Sequence, residues 1–328
     1  MTDRRPIEEA QARRNGRPAG TTSWRGSITE RGTQMDSYYG RSIVKEPVWK
    51  PEIPAYFFTG GIAGASSVLH GVARLTGNDR LAKSALYVGA AADIVSPALL
   101  VSDLGRPERF LNMLRMFKVT SPMSVGSWIL FVSGGASSTA AALELLGVLK
   151  PVKWAAELVS FLSGPPLATY TGALIANTAI PVWSEARDEL PWLFGASAAA
   201  SAGAAAAVVT PLGSAGPARR AALAGVALEL GLMQAMERRL GFVGEVYKHG
   251  AAGRFNKITK ACTIAGSALL AAGGKRSRAA AVAGGALILA GELSLRWSVF
   301  KAGFQSARDP RYTVIPQKQR IARKGGRR

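Results

Sequence analysis

The sequence predicts an all-α fold: a polytopic integral membrane bundle of about eight transmembrane helices. Three observations carry that prediction. Apolar stretches of about 18 to 25 residues recur through the middle of the 328-residue chain, each long enough to cross the hydrocarbon of a bilayer. Charge is segregated from them: 41 Lys and Arg stand against 21 Asp and Glu, a net charge of +20, mostly between and beyond the apolar stretches. Runs of small residues, GGIAGA (60–65), GGASSTAAA (134–142) and AVAGGA (281–286), let helix backbones approach closely, and in lipid that packing replaces the hydrophobic drive supplied by water.

The spans are read at 54–73, 81–101, 123–147, 154–180, 191–214, 221–241, 258–273 and 279–300. Each is a helix, because a lone segment in lipid must satisfy its own backbone hydrogen bonds. Gly105 and Pro107 break the chain after the second span, and Thr120, Ser121 and Pro122 start the third. Between them Leu111, Leu114 and Phe117 alternate with Arg115 and Lys118 at roughly helical spacing, the pattern of a helix lying in the membrane interface. The organisation is a basic N-terminal extension (1–53), a membrane domain (54–300) and a basic C-terminal tail (301–328). An even number of spans puts both termini on one face. Lys and Arg concentrate there, which predicts a multi-pass protein of the cell inner (plasma) membrane with both termini cytoplasmic. Trp128, Trp154, Trp183, Trp192 and Trp297 fall near span ends, where an indole ring favours the headgroup level.

Composition excludes several classes. The apolar middle cannot be disordered. The basic charge forms no continuous stripe, so nucleic acid is not a partner. One cysteine, Cys262, supports neither a disulfide framework nor a cysteine-ligated cluster. The two histidines, His70 and His249, fall toward opposite faces and cannot jointly ligate a haem. No His, Asp and Glu share metal-ligand spacing, and no phosphate loop or nucleophile–base motif is present. The chain therefore carries no haem, iron–sulfur cluster or metal site of its own.

Ionisable side chains inside spans are expensive and mark function by default. Asp93, Glu229 and Glu292 are candidates for a proton pathway, or for coupling sites in a small-solute or ion transporter, the alternative reading. Glu292 and Arg296 are four residues apart and can pair on one helix face. Glu144 and Glu157 lie near span ends, where an interfacial position is expected. The densest polar constellation is Asp103 and Arg106 after the second span with Tyr170 and Asn177 in the fourth, seven residues or two turns apart. Tyr56 lies in the same half of the bilayer. Hydroxyl, amide and charged groups around an apolar slot suit the two carbonyls of a quinone. They equally suit interfacial anchoring and interhelical hydrogen bonding.

Three blocks resemble the NrfD/polysulfide-reductase (PsrC-like) membrane-subunit family: DLGRPERFLNML (103–114), TSPMSVGSW (120–128) and TYTGALIANTAIPVW (169–183). DPRYTVIPQ (309–317) is similar as well, and the resemblance spans roughly 50–305. It implies an eight-helix anchor subunit of a multi-subunit, quinone-linked oxidoreductase, not catalytic on its own. Its implied partners are a ferredoxin-like iron–sulfur subunit and a molybdopterin-type catalytic subunit, and its diffusible carrier is menaquinone or ubiquinone. It places the quinone between the head of the first span and a tyrosine of the fourth, which here match Tyr56 and Tyr170, with Tyr56 standing where such members can have a histidine.

Overall fold

The computed structural model describes residues 42–104 and 106–325. The predicted N-terminal extension lies outside the described residues up to position 41. Among the described residues the chain is helical, with no strand, and eight helices of 20 residues or more coincide one for one with the eight spans. They are α1 (Glu52–Leu75), α2 (Asp79–Asp103), α3 (Pro122–Leu146), α4 (Lys150–Ala176), α6 (Leu190–Val209), α7 (Gly216–Leu240), α8 (Gly250–Ala272) and α9 (Arg278–Arg308). A short helix α5 (Pro181–Glu185) precedes α6, and α10 (Arg311–Gly325) follows α9.

Five of the long helices, α2, α3, α4, α6 and α9, are long and apolar enough to cross a membrane by themselves. In the other three, polar side chains dilute the apolar ones. In α1 these include Tyr56, Thr59, Ser66, Ser67 and His70, in α7 the two arginine pairs, and in α8 Arg254, Lys257 and Lys260. α1 compensates by being enclosed: fourteen of its 24 residues are buried. The protein is thus a polytopic helical membrane protein.

Local chemistry sets the helix ends. Asn78 accepts from Leu81 N–H at 3.2 Å to start α2, and Ser121 accepts from Ser124 N–H at 3.4 Å to start α3, with Pro122 at its first position. α3 stops at Gly147, whose φ of +67° is the left-handed conformation that glycine adopts without penalty.

The helices pack as two groups of four, α1–α4 and α6–α9, joined mainly through α1 and α4 against α6. Small residues make the packing close. A Cβ at Gly64 would lie 2.5 Å from the Gly164 carbonyl oxygen, and one at Gly225 would lie 2.4 Å from Ala200 N. GGIAGA and AVAGGA are therefore contact surfaces, as the sequence suggested, with a Cβ at Gly284 lying 2.9 Å from the Gly266 carbonyl, whereas in GGASSTAAA a Cβ at Gly135 would meet nothing within 4 Å. The two described ends lie together: Arg308 Nε contacts Glu46 Oε1 at 2.9 Å, and Ser42 Oγ donates to the Arg308 carbonyl at 3.4 Å. That end is called the terminus face below.

Three sequence expectations change. The stretch after α2 is a 3₁₀ helix (Pro107–Leu114), not an α-helix, with Leu111, Met116 and Phe117 exposed in and after it. α9 continues past the predicted end at Phe300, because Ser298, Gly303 and Ser306 pack inward against other elements. Trp183 is no headgroup anchor. It is fully buried, donates from Nε1 to the Val299 carbonyl at 2.8 Å and occupies the space a Cβ at Gly303 would need. Trp154 and Trp192 are exposed, as anchors should be.

Candidate functional site

Near the terminus face, α1, α2, α3 and α4 enclose a cavity of about 70 Å³. Tyr56 from α1, Asp103 at the end of α2, Ser127 from α3 and Tyr170 from α4 line it, with Met113 of the 3₁₀ helix. Three of the five predicted residues therefore meet. Tyr56 is 1 % exposed, and its hydroxyl is buried with no hydrogen-bond partner. A buried phenol without a partner carries a desolvation cost of about 1–3 kcal/mol. Trp49 fixes the same corner by stacking on Trp183, with ring centroids 5.7 Å apart.

Tyr170 is positioned by a glycine. Its ring lies where a Cβ at Gly126 would be, 2.1 Å from Cε2. Gly126 belongs to TSPMSVGSW and Tyr170 to TYTGALIANTAIPVW, so two separate sequence blocks form one contact. Asp103 is anchored from outside: its Oδ1 accepts from Lys50 N–H at 2.9 Å, while Lys50 Nζ donates to the Ser102 carbonyl at 3.2 Å. The segment before α1 is thereby tied to the mouth of the cavity.

Arg106 and Asn177 do not line it. Arg106 is exposed just before Pro107 begins the 3₁₀ helix. Asn177 is exposed because α4 ends at Ala176, and Asn177 is its capping residue. The two-turn spacing from Tyr170 holds only while the helix continues.

A second cavity, about 270 Å³, adjoins the first between α2 and α3. The two share Leu100 and Ser127. Phe110 and Leu114 of the 3₁₀ helix border the larger one, and Asp93 lies at its deep end. The amphipathic stretch thus contributes apolar side chains to both cavities. Sequence reasoning missed Gly126, Ser127, Leu100 and Met113. The only signal for the first two was their place in a block whose resemblance was already noted.

The predicted proton-pathway residues are divided between the two helix groups. Asp93 is buried and accepts from Ser137 Oγ across the α2–α3 contact. Glu229 and Glu292 are buried in the α6–α9 group; Glu292 Oε2 accepts from Ser197 Oγ at 2.5 Å, while Glu292 Oε1 and both Glu229 oxygens have no hydrogen-bond partner. Arg296 does not form the direct ion pair with Glu292 that the four-residue spacing suggested. It donates to the Phe194 carbonyl at 3.0 Å, and its guanidinium lies 3.8 Å from the centroid of the Phe194 ring. Among the described residues, no group of three or more His, Cys, Asp or Glu is placed to hold a metal ion.

An α-helical bundle with membrane-spanning helices and a largely apolar cavity between two tyrosines defines an integral membrane protein. Residues 43–244 match the family described as "Polysulphide reductase, NrfD", well over half of the chain, and the chain belongs to that family. Members are membrane subunits of quinone-linked oxidoreductases. A search among curated proteins finds no match.

Proposed function

We propose that this chain is the quinone-binding anchor of a multi-subunit oxidoreductase, passing electrons between an iron–sulfur partner and menaquinone or ubiquinone in the membrane. The observation that carries the proposal is the meeting of Tyr56, Tyr170 and Asp103 in one largely apolar cavity under the terminus face. A quinone carbonyl is an acceptor without a proton, and the unpartnered Tyr56 hydroxyl is a matching donor. Tyr170, held against Gly126, supplies the second hydroxyl. The cavity that shares Leu100 and Ser127 gives room for the remainder of the ring and its apolar chain, and the flexible side chains of Met113 and Met123 line the smaller one.

Arg106, Arg109, Arg115 and Lys118 are all exposed on and beside the 3₁₀ helix over the cavities. They fit a docking face for the partner that delivers electrons, which reassigns Arg106 from the quinone to the protein partner. Subunits of this family typically work with iron–sulfur and molybdopterin subunits. Under the positive-inside rule the basic terminus face supports a cytoplasmic position for both partners.

The direct test replaces Tyr170 by Phe and assays quinone-linked turnover in membranes holding the assembled complex. At least a tenfold loss is expected, since one donor hydrogen bond to a reacting oxygen is worth about 1.4 kcal/mol or more. Unchanged turnover removes Tyr170 from the site.

A further inference from the structure

Quinone chemistry moves protons as well as electrons. Reduction takes two electrons from the iron–sulfur partner and two protons, forming an O–H bond at each carbonyl oxygen, and oxidation returns both. The tyrosines can hand protons to a carbonyl but must be recharged from one side of the membrane. Inside α1–α4, polar side chains continue away from the cavity, level by level, toward the face opposite the termini.

Next to the tyrosines, Ser96 Oγ donates to Thr59 Oγ1 at 2.8 Å. One turn deeper Asp93 accepts from Ser137, and its other oxygen, Oδ1, is buried without a partner at the end of the larger cavity. Ser66 comes next, also buried and unpartnered, and packs where a Cβ at Gly89 would lie 3.2 Å from its own Cβ. Ser160 Oγ then donates to Ser67 Oγ at 2.7 Å. The column ends at His70 and Glu157. His70 Nδ1 lies 2.8 Å from the Ala82 carbonyl, which can only accept, so Nδ1 carries a proton. Nε2 lies 3.3 Å from Glu157 Oε1, with no hydrogen-bond partner of its own. Arg74 and Lys153 contact Glu157, and Arg74 is 35 % exposed, so the pair lies just under the surface. From Tyr56 to His70 the rise along α1 is about 21 Å, most of a bilayer's hydrocarbon.

The unpartnered oxygens of Tyr56, Asp93 and Ser66 are spaced along this column, and buried polar atoms of that kind are ordinarily met by bound water. We infer that α1–α4 contain a proton-conducting column in which His70–Glu157, Ser66–Ser67–Ser160 and Asp93–Ser137 join the tyrosine cavity to the face opposite the termini. Electrons then meet the quinone from the terminus face and protons from the other, so turnover moves charge across the membrane. This rests on the quinone reading of the cavity and assigns Glu229 and Glu292 no part in the route.

The test uses the assembled complex in proteoliposomes of known orientation, with impermeant pH dyes on each side and a fluorescent quinol analogue for binding. In the wild-type complex the protons of turnover are expected to exchange at the face opposite the termini. Ser66→Val, which lines neither cavity and removes no charge, is expected to bind the analogue within about twofold of wild type while losing at least tenfold in turnover. Asp93→Asn, at the end of the larger cavity, covers the case in which the first variant fails to assemble, and should lose turnover at least tenfold as well. Proton exchange at the terminus face, or turnover within twofold in both variants, overturns the column and leaves the quinone site standing. Failure of the wild-type complex to bind the analogue overturns the quinone reading and the column with it.

Discussion

The α1–α4 and α6–α9 groups both bury carboxyl groups near mid-helix, but in different surroundings. Asp93 borders a cavity of about 270 Å³ and leaves one oxygen unpartnered beside it. Glu229 and Glu292 also leave oxygens unpartnered, both of Glu229's and Oε1 of Glu292, but they line neither cavity, and their helices pack closely: a Cβ at Gly203 would lie 2.4 Å from Ala222 N, and one at Gly266 would lie 2.7 Å from the Gly284 carbonyl. A buried carboxyl beside open space can exchange a proton with whatever enters that space. One surrounded by packed backbone and a guanidinium serves to hold helices in register. The depth of a charge in the membrane does not by itself separate these roles; the packing around it does.

The strongest way to break this comparison is Arg296→Met. The guanidinium is 1 % exposed and is the cation beside the two glutamates. Removing one partner from a buried charge cluster costs about 3–5 kcal/mol. The thermal midpoint of the purified complex in detergent should fall steeply, while turnover per surviving complex stays within twofold. Intact stability with lost turnover would put chemistry in the α6–α9 group and end the contrast.

Gly126→Ala sharpens the other side. The new methyl would overlap the Tyr170 ring, and overpacking of this kind costs about 1–3 kcal/mol, relieved by moving the ring. Turnover should drop about tenfold with little change in assembly, and the affinity for a quinol analogue should weaken with it. A Gly126→Ala complex with wild-type affinity would show that the ring position is immaterial. Ser197→Ala is a smaller step. It takes one hydrogen bond from Glu292, about 1 kcal/mol, and should lower the thermal midpoint slightly without altering proton exchange.

How much of this was legible in the chain follows from the range of the interactions. The eight long helices were readable because apolar length and end signals are local: Ser121–Pro122 and Gly147 bound α3 where the sequence placed its ends, within a residue. Tyr56, Asp103 and Tyr170 were readable as neighbours because the order of crossings puts their levels together. Asn177 failed because helical spacing was carried one residue past the end of α4, and Arg106 because it lies between α2 and the 3₁₀ helix that Pro107 begins, where no helix face directs it inward. Trp183 failed because span-end position does not say whether lipid or protein covers a residue; here α9 does, through Gly303. His70 with Glu157, and Gly126 with Tyr170, are contacts between distant segments that no local pattern announces.

The smallest expected effect lies outside the membrane, in the tail whose DPRYTVIPQ block resembled the family. Asp309 accepts from Arg311 N–H at 2.9 Å and pairs with its guanidinium at 2.7 Å, ordering the start of α10, where Tyr312 stacks on Phe242 with ring centroids 5.1 Å apart. The Arg311 side-chain hydrogen bonds hold the Asp309 carboxyl below the usual carboxylate range. Its folded value being depressed, the contribution is present above that range and is lost as pH falls through the folded value. The pair is largely solvent-exposed, which limits it to below about 0.5 kcal/mol. Hydrogen exchange in α10 should therefore quicken slightly on acidification, and Asp309→Asn should exchange at the quickened rate at neutral pH while turnover and proton exchange are unchanged. A large loss of turnover in that variant would mean that the tail joins the site functionally, extending the active group beyond α1–α4.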